Sequence, residues 1–210
     1  MHASRVLILE RSATSGAAIA YTPGSSVTGR TRVTRIFATL SLIGNLGLIA
    51  VFWLGWSIGD DRLSVEVRKQ MSTHFQVALA SIPLALLVHS VAFTYFMGTG
   101  RWIEETSEAY SLGAEFRDQN IQLKYRMLPG MLLCVVLMLT TAAFGAISDP
   151  GANIRMANSK LVHFSLAIAT LLVNLLVTWI EWQAISRNGR LIESVMNRVR
   201  KIRHDKGLDR

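Results

Sequence analysis

The chain has 210 residues, half of them hydrophobic, and carries 22 Lys and Arg against 14 Asp and Glu, for a formal charge of +8. A nucleic-acid binder would gather such charge on one folded polar face, whereas here the charges fall between long apolar blocks, so no nucleic-acid partner is expected. The single cysteine, Cys134, sits inside one of those blocks, which excludes an internal disulfide framework and a cysteine-based zinc site and leaves it as a small buried hydrophobe.

Residues 1–33 are rich in Ser, Thr, Gly and Ala, with several Arg but only Glu10 as an acid. That composition resembles a transit peptide, and a flexible tail or a start codon placed too far upstream accounts for it equally simply. The expectation taken here is a flexible N-terminal tail.

Four stretches within residues 34–186 are long and apolar enough to cross a bilayer, which takes about 20 residues at about 1.5 Å rise each. They lie at about 36–58, 75–99, 127–148 and 161–182, the third ending at the turn signal Asp149-Pro150-Gly151. A chain this short cannot bury four helices that are apolar all round, so lipid is the expected solvent. Backbone groups in lipid must bond within their own segment, and no alternating strand pattern is present, so helices are expected. Pro83 in the second span removes one backbone donor and predicts a kink there.

Between the second and third spans, Arg101 to Arg126 mixes acids with Tyr110, Leu112, Phe116 and Ile121 and predicts one or two short helices on the membrane surface. After the fourth span, Asn188-Gly189 predicts a pause, followed by a basic amphipathic tail over 187–210 in which Leu191, Val195, Val199 and Ile202 recur at helical spacing. Such a helix either lies on anionic lipid or packs on the acidic middle loop.

Seventeen Lys and Arg flank the ends shared by both termini and the middle loop, against five in the other two loops. The bias predicts both termini inside and a cytoplasmic (inner) membrane location, with Trp53, Trp56, Trp102, Trp179 and Trp182 near span ends as interfacial anchors. The expected fold is thus all-α: an integral membrane four-helix bundle, up-down-up-down, with a cytoplasmic amphipathic C-terminal helix. The halves are not read as a repeat.

Polar side chains inside a membrane are costly and therefore informative. Asn45, His89 and Asn174 fall at similar depth and predict one intramembrane hydrogen-bonded layer, either as glue between helices or, for His89, as a proton-carrying group. His74 and His163 fall near the outer ends of the second and fourth spans, the layout that a b-type haem between helices requires and one loosely similar to the membrane anchors of respiratory complexes. Arg101 and Glu181, at the inner ends of the same spans, are expected to form an interfacial ion pair. The run Gly98-Thr99-Gly100-Arg101 lacks the strand and the Lys-Ser/Thr ending of a phosphate loop and reads as a helix end. No catalytic constellation or intramembrane acidic metal cluster is apparent.

Three functions are weighed on this basis. The first is a non-enzymatic accessory or scaffold subunit whose cytoplasmic loop and tail meet other membrane subunits, a homodimer or anionic lipid. The second is a haem b electron-transfer subunit ligated by His74 and His163. The third is a small transporter whose path is lined by Asn45, His89 and Asn174.

Overall fold

The computed structural model describes residues 25–59, 64–149, 153–154 and 156–208, with side chains from residue 32 onward. Most of the expected N-terminal tail and the Pro150-Gly151 turn lie outside the described residues. Four α-helices account for nearly all the rest: α1 (Ser25–Trp56), α2 (Val65–Tyr110), α3 (Glu115–Ser148) and α4 (Ser159–Asp205). Each is long and apolar enough to cross a membrane, and the chain is an all-helical protein of multi-pass membrane type.

Local chemistry sets the helix ends. The Ser64 hydroxyl accepts from the Glu66 backbone N–H at 3.2 Å and starts α2. At the other end Ser111 adopts a left-handed conformation (φ 52°), and Leu112 N–H returns to the Ser107 carbonyl at 2.8 Å, closing the helix. Asn158, also left-handed, precedes α4; Asn tolerates this region better than most side chains.

Two sequence expectations change here. The middle loop does not form separate surface helices: α2 continues to Tyr110 and α3 begins at Glu115, leaving a short turn between them. Likewise α4 passes through Asn188-Gly189 without a pause and runs on to Asp205. Gly189 is buried there, so packing of the helix overrides its weak helical preference. At about 1.5 Å per residue, α2 and α4 are each about 70 Å long, well over twice the hydrocarbon thickness.

The bundle is inside-out relative to a soluble protein. Leu42, Leu79, Leu172 and Trp53 are exposed, whereas Asn45, His89, Asn174 and Glu181 are buried, the last completely. Apolar side chains that face outward over the span suit lipid, and the polar ones are spent on each other inside. Between these layers two apolar clusters fill the interior, one around Phe37, Phe96 and Met127 and one around Leu48, Cys134 and Met138.

Small residues let the backbones close up. A Cβ on Gly47 of α1 would lie 2.7 Å from Ser81 Oγ of α2, and one on Gly130 of α3 would lie 3.0 Å from a Val177 methyl of α4.

Contacts between α2 and α4 expose a repeat that was not read from the sequence. His74 meets His163, and Thr99 bonds Asn188, both pairs separated by 89 positions. At that offset His74-Phe75-Gln76-Val77-Ala78-Leu79-Ala80-Ser81 overlies His163-Phe164-Ser165-Leu166-Ala167-Ile168-Ala169-Thr170, and Gly100-Arg101-Trp102-Ile103-Glu104 overlies Gly189-Arg190-Leu191-Ile192-Glu193. In α1 and α3 the residue types differ but the buried positions match, Phe37, Ser41 and Leu48 against Met127, Met131 and Met138, at an offset larger by one. The two helix pairs therefore repeat one pattern of residue types and buried positions, here called two copies of one unit, and α2 and α4 meet at His74–His163 and Thr99–Asn188.

Candidate functional site

The repeat places two polar constellations along the α2/α4 line. The first holds His74 and His163. His74 Nδ1 donates to the Val51 carbonyl of α1 at 3.0 Å, and His163 Nδ1 donates to the Thr141 carbonyl of α3 at 3.0 Å. A carbonyl only accepts, so both Nδ1 atoms carry hydrogen, and in the neutral rings both Nε2 atoms keep a free lone pair. Each ring rests against a glycine one helical turn beyond its acceptor. A Cβ on Gly55 would lie 2.9 Å from His74 Cε1, and one on Gly145 would lie 3.0 Å from His163 Cε1. Any larger residue at either glycine would displace the imidazole. The two ring centres are 6.4 Å apart with planes at 87°. At neighbouring positions of α1 and α4, Phe52 stacks on Phe164 at 5.8 Å and Trp56 meets Phe164 at 5.4 Å.

The second constellation brings together Asn45, His89 and Asn174, and adds Thr178 and Glu181. Its orientation can be deduced from one atom. The Ser41 carbonyl accepts from Asn45 Nδ2 at 2.8 Å, so the Asn45 amide nitrogen points toward α1's own backbone and its oxygen points away. That oxygen accepts from Asn174 Nδ2 at 2.8 Å, which turns Asn174 Oδ1 toward His89 Nε2 at 3.0 Å. His89 Nε2 is therefore the protonated donor. Its other nitrogen, Nδ1, lies 2.8 Å from Glu181 Oε1. One proton sits between those two atoms, leaving either an imidazolium facing a carboxylate or a neutral ring facing a carboxylic acid. Both forms have no net charge, which is the form in which a titratable pair is least costly inside a membrane. Asn45 Nδ2 also reaches Thr178 Oγ1 at 3.2 Å, while the second carboxylate oxygen, Glu181 Oε2, is buried with no hydrogen-bond partner.

The expected pair between Arg101 and Glu181 does not form. Arg101 is exposed and bonds Glu105 one turn along at 2.8 Å, whereas Glu181 is completely buried against His89. Glu181 was misjudged because an acid flanked by Trp179 and Trp182 looks interfacial; the signal that would have found it is its spacing of seven from Asn174, which returns it to the same helix face. The members of the polar layer bond one another and are almost wholly shielded from the surroundings.

A third group was missed altogether. Asn120 Nδ2 donates to Asn188 Oδ1 at 2.8 Å, and Asn188 Nδ2 donates to Thr99 Oγ1 at 2.8 Å, tying α2, α3 and α4 together beyond the apolar interior.

The repeat distinguishes these groups by residue type as well as by place. His74 and His163 are the same residue in both copies, whereas His89, Asn174 and Glu181 stand opposite Thr178, Ala85 and Ala92. The first site is shared by both copies, and the second exists only because the copies differ.

Among the described residues no group of three or more His, Cys, Asp and Glu gathers as a metal-binding cluster. Comparison with protein-family models, with curated proteins and with solved structures finds no match.

Proposed function

We propose that the chain is a membrane-embedded electron-transfer protein that holds one b-type haem between His74 and His163. The observation that carries this reading is the paired imidazole geometry. Metal-bound histidines characteristically give their second ring nitrogen to a carbonyl or carboxylate, and here both Nδ1 atoms are given to backbone carbonyls of neighbouring helices. The ring centres stand 6.4 Å apart, so His74 and His163 are the residues that would hold the group between α2 and α4.

The donor set favours haem over a bare ion. Two histidines leave a transition metal short of ligands, whereas a macrocycle brings four of its own and needs only the two axial ones. When bound, haem supplies one-electron chemistry. The chain's part is to fix both tautomers through Val51 and Thr141 and to leave room for each ring at Gly55 and Gly145.

The bundle is proposed to lie up-down-up-down in the cytoplasmic membrane with both termini inside, on the strength of the seventeen-to-five bias in Lys and Arg. The histidine pair then lies toward the outer face. A second reading, a scaffold that meets partners on the inner face, is supported by the length of α2, α3 and α4 beyond their apolar segments. The two readings are compatible in one subunit.

The test is the absorbance of protein expressed with a haem precursor and purified in mild detergent. One b haem per chain is expected, lost in His74→Ala and in His163→Ala and retained when the exposed His204 is replaced by Ala. Wild-type protein without a Soret band ends the proposal.

A further inference from the structure

The cytoplasmic ends of α3 and α4 enclose a groove of about 420 Å³ that belongs to neither histidine site. Arg126, Arg187 and Arg190 line it together with Gln119, Gln122 and Ser194, and no Asp or Glu is among its walls. Three guanidinium groups and two side-chain amides form a donor-rich set, suited in charge to phosphate oxygens, while the Ser194 hydroxyl donates to the Arg190 carbonyl at 3.1 Å.

The groove continues in the apolar direction. A narrow cleft shares Leu123, Arg126 and Arg187 with it and leads along Met127, Ile180 and Ala184, where the third and fourth apolar spans begin and end. Charge at the groove with apolar side chains next to it on the span side matches the polarity of a phospholipid, with its phosphate in the groove and its chains in the surrounding lipid. Lipid-binding basic pockets between membrane helices have this construction.

The repeat shows that the groove is a departure rather than a by-product of the fold. Arg190 overlies Arg101, which spends its guanidinium on Glu105 at 2.8 Å. In the second copy the position of Glu105 is taken by Ser194, and the position of Gly98 is taken by Arg187. One copy thus neutralises its arginine, and the other has a serine in place of the acid and a second arginine at the same end.

We infer that the α3/α4 groove is a binding site for the phosphate headgroup of an anionic phospholipid, held by Arg126, Arg187 and Arg190. It is separate from the basic face of the last turns of α4, where Arg198, Arg200 and Lys201 lie, and it does not depend on the haem proposal.

The experiment titrates full-length protein in neutral detergent with phosphatidylglycerol or phosphatidylcholine and counts bound lipid by native mass spectrometry. Phosphatidylglycerol is expected to bind at one lipid per chain at least tenfold more tightly than phosphatidylcholine. Arg126→Gln/Arg187→Gln/Arg190→Gln is expected to remove that preference, while Arg198→Gln/Arg200→Gln/Lys201→Gln keeps it. Equal binding of the two lipids to wild-type protein overturns the inference, and this measurement needs no variant to fold. Loss of the preference in the tail variant instead of the groove variant also overturns it. Displacement of the lipid by millimolar inorganic phosphate would identify a soluble phosphate as the ligand and reject the lipid; no displacement supports it.

Discussion

Thr99 and Asn188 occupy the same position in the two copies of the unit and are hydrogen-bonded to each other at 2.8 Å. The contact lies where α2 and α4 meet, so it joins the copies at equivalent positions, and Asn120 extends it to α3. Asn188 is completely buried, and its oxygen and nitrogen serve two different helices.

Asn188→Ala removes both bonds and leaves Asn120 buried without its acceptor. A loss of about 1–3 kcal/mol of stability is expected, set mainly by the orphaned partner rather than by the bonds themselves. Denaturant titration of helical circular dichroism in bicelles measures it. In Asn120→Ala/Asn188→Ala the orphan is gone, and the loss should be smaller than the sum of the single losses.

For the His89–Glu181 pair the sign of coupling is the sharper test. Glu181→Ala leaves His89 Nδ1 buried without a partner and should cost about 3–5 kcal/mol, whereas His89→Leu/Glu181→Leu removes both polar ends and should cost less than either single leucine change. Glu181→Gln keeps the shape but cannot share a proton, so its effect should fall between. Additive losses in the double variant would show that the two side chains do not act as a pair.

At the glycine seats, Gly55→Ala and Gly145→Ala should each push an imidazole off its carbonyl, since the added carbon would lie within about 3 Å of the ring. Helix content is expected to stay near wild type while haem occupancy falls by more than half. Gly98→Ala is the control, because a carbon there meets nothing within 4 Å. Equal occupancy in all three would mean that the glycines do not position the ligands.

The four spans were legible because lipid imposes one simple rule, a long stretch of apolar side chains, and the sequence obeys it at every crossing. Asn45, His89 and Asn174 were legible as a layer for the complementary reason: buried amides and imidazoles in hydrocarbon need each other, and equal depth suffices to pair them. Glu181 was not legible, because an acid beside two tryptophans satisfies the interfacial pattern equally well, and only the rotation of α4 turns it inward. Continuity of α4 through Asn188-Gly189 was hidden for a related reason. Asn and Gly are weak helix formers in isolation, and burial against neighbouring helices outweighs that weakness. The stripe of Leu191, Val195 and Val199 was correctly placed at helical spacing, but its burial within the chain leaves charge, not grease, as what the tail presents outward. The repeat is short in letters, His-Phe and Gly-Arg in α2 and α4, and in α1 and α3 only the spacing of the buried residues matches, so the contacts between α2 and α4 are what set the offset. Positions such as Phe37 and Met127 are equivalent in packing and unlike in letters.

Because α4 runs unbroken from Ser159 to Asp205, the turn that carries His163 and the last basic turns are parts of one stiff rod. No glycine hinge or proline interrupts it between them, Gly189 being packed in place, so bending offers little slack. The side chains of Leu191, Val195 and Val199 hold the far half of the same helix against its neighbours, so the histidine turn and the basic turns keep a fixed separation and phase along one axis.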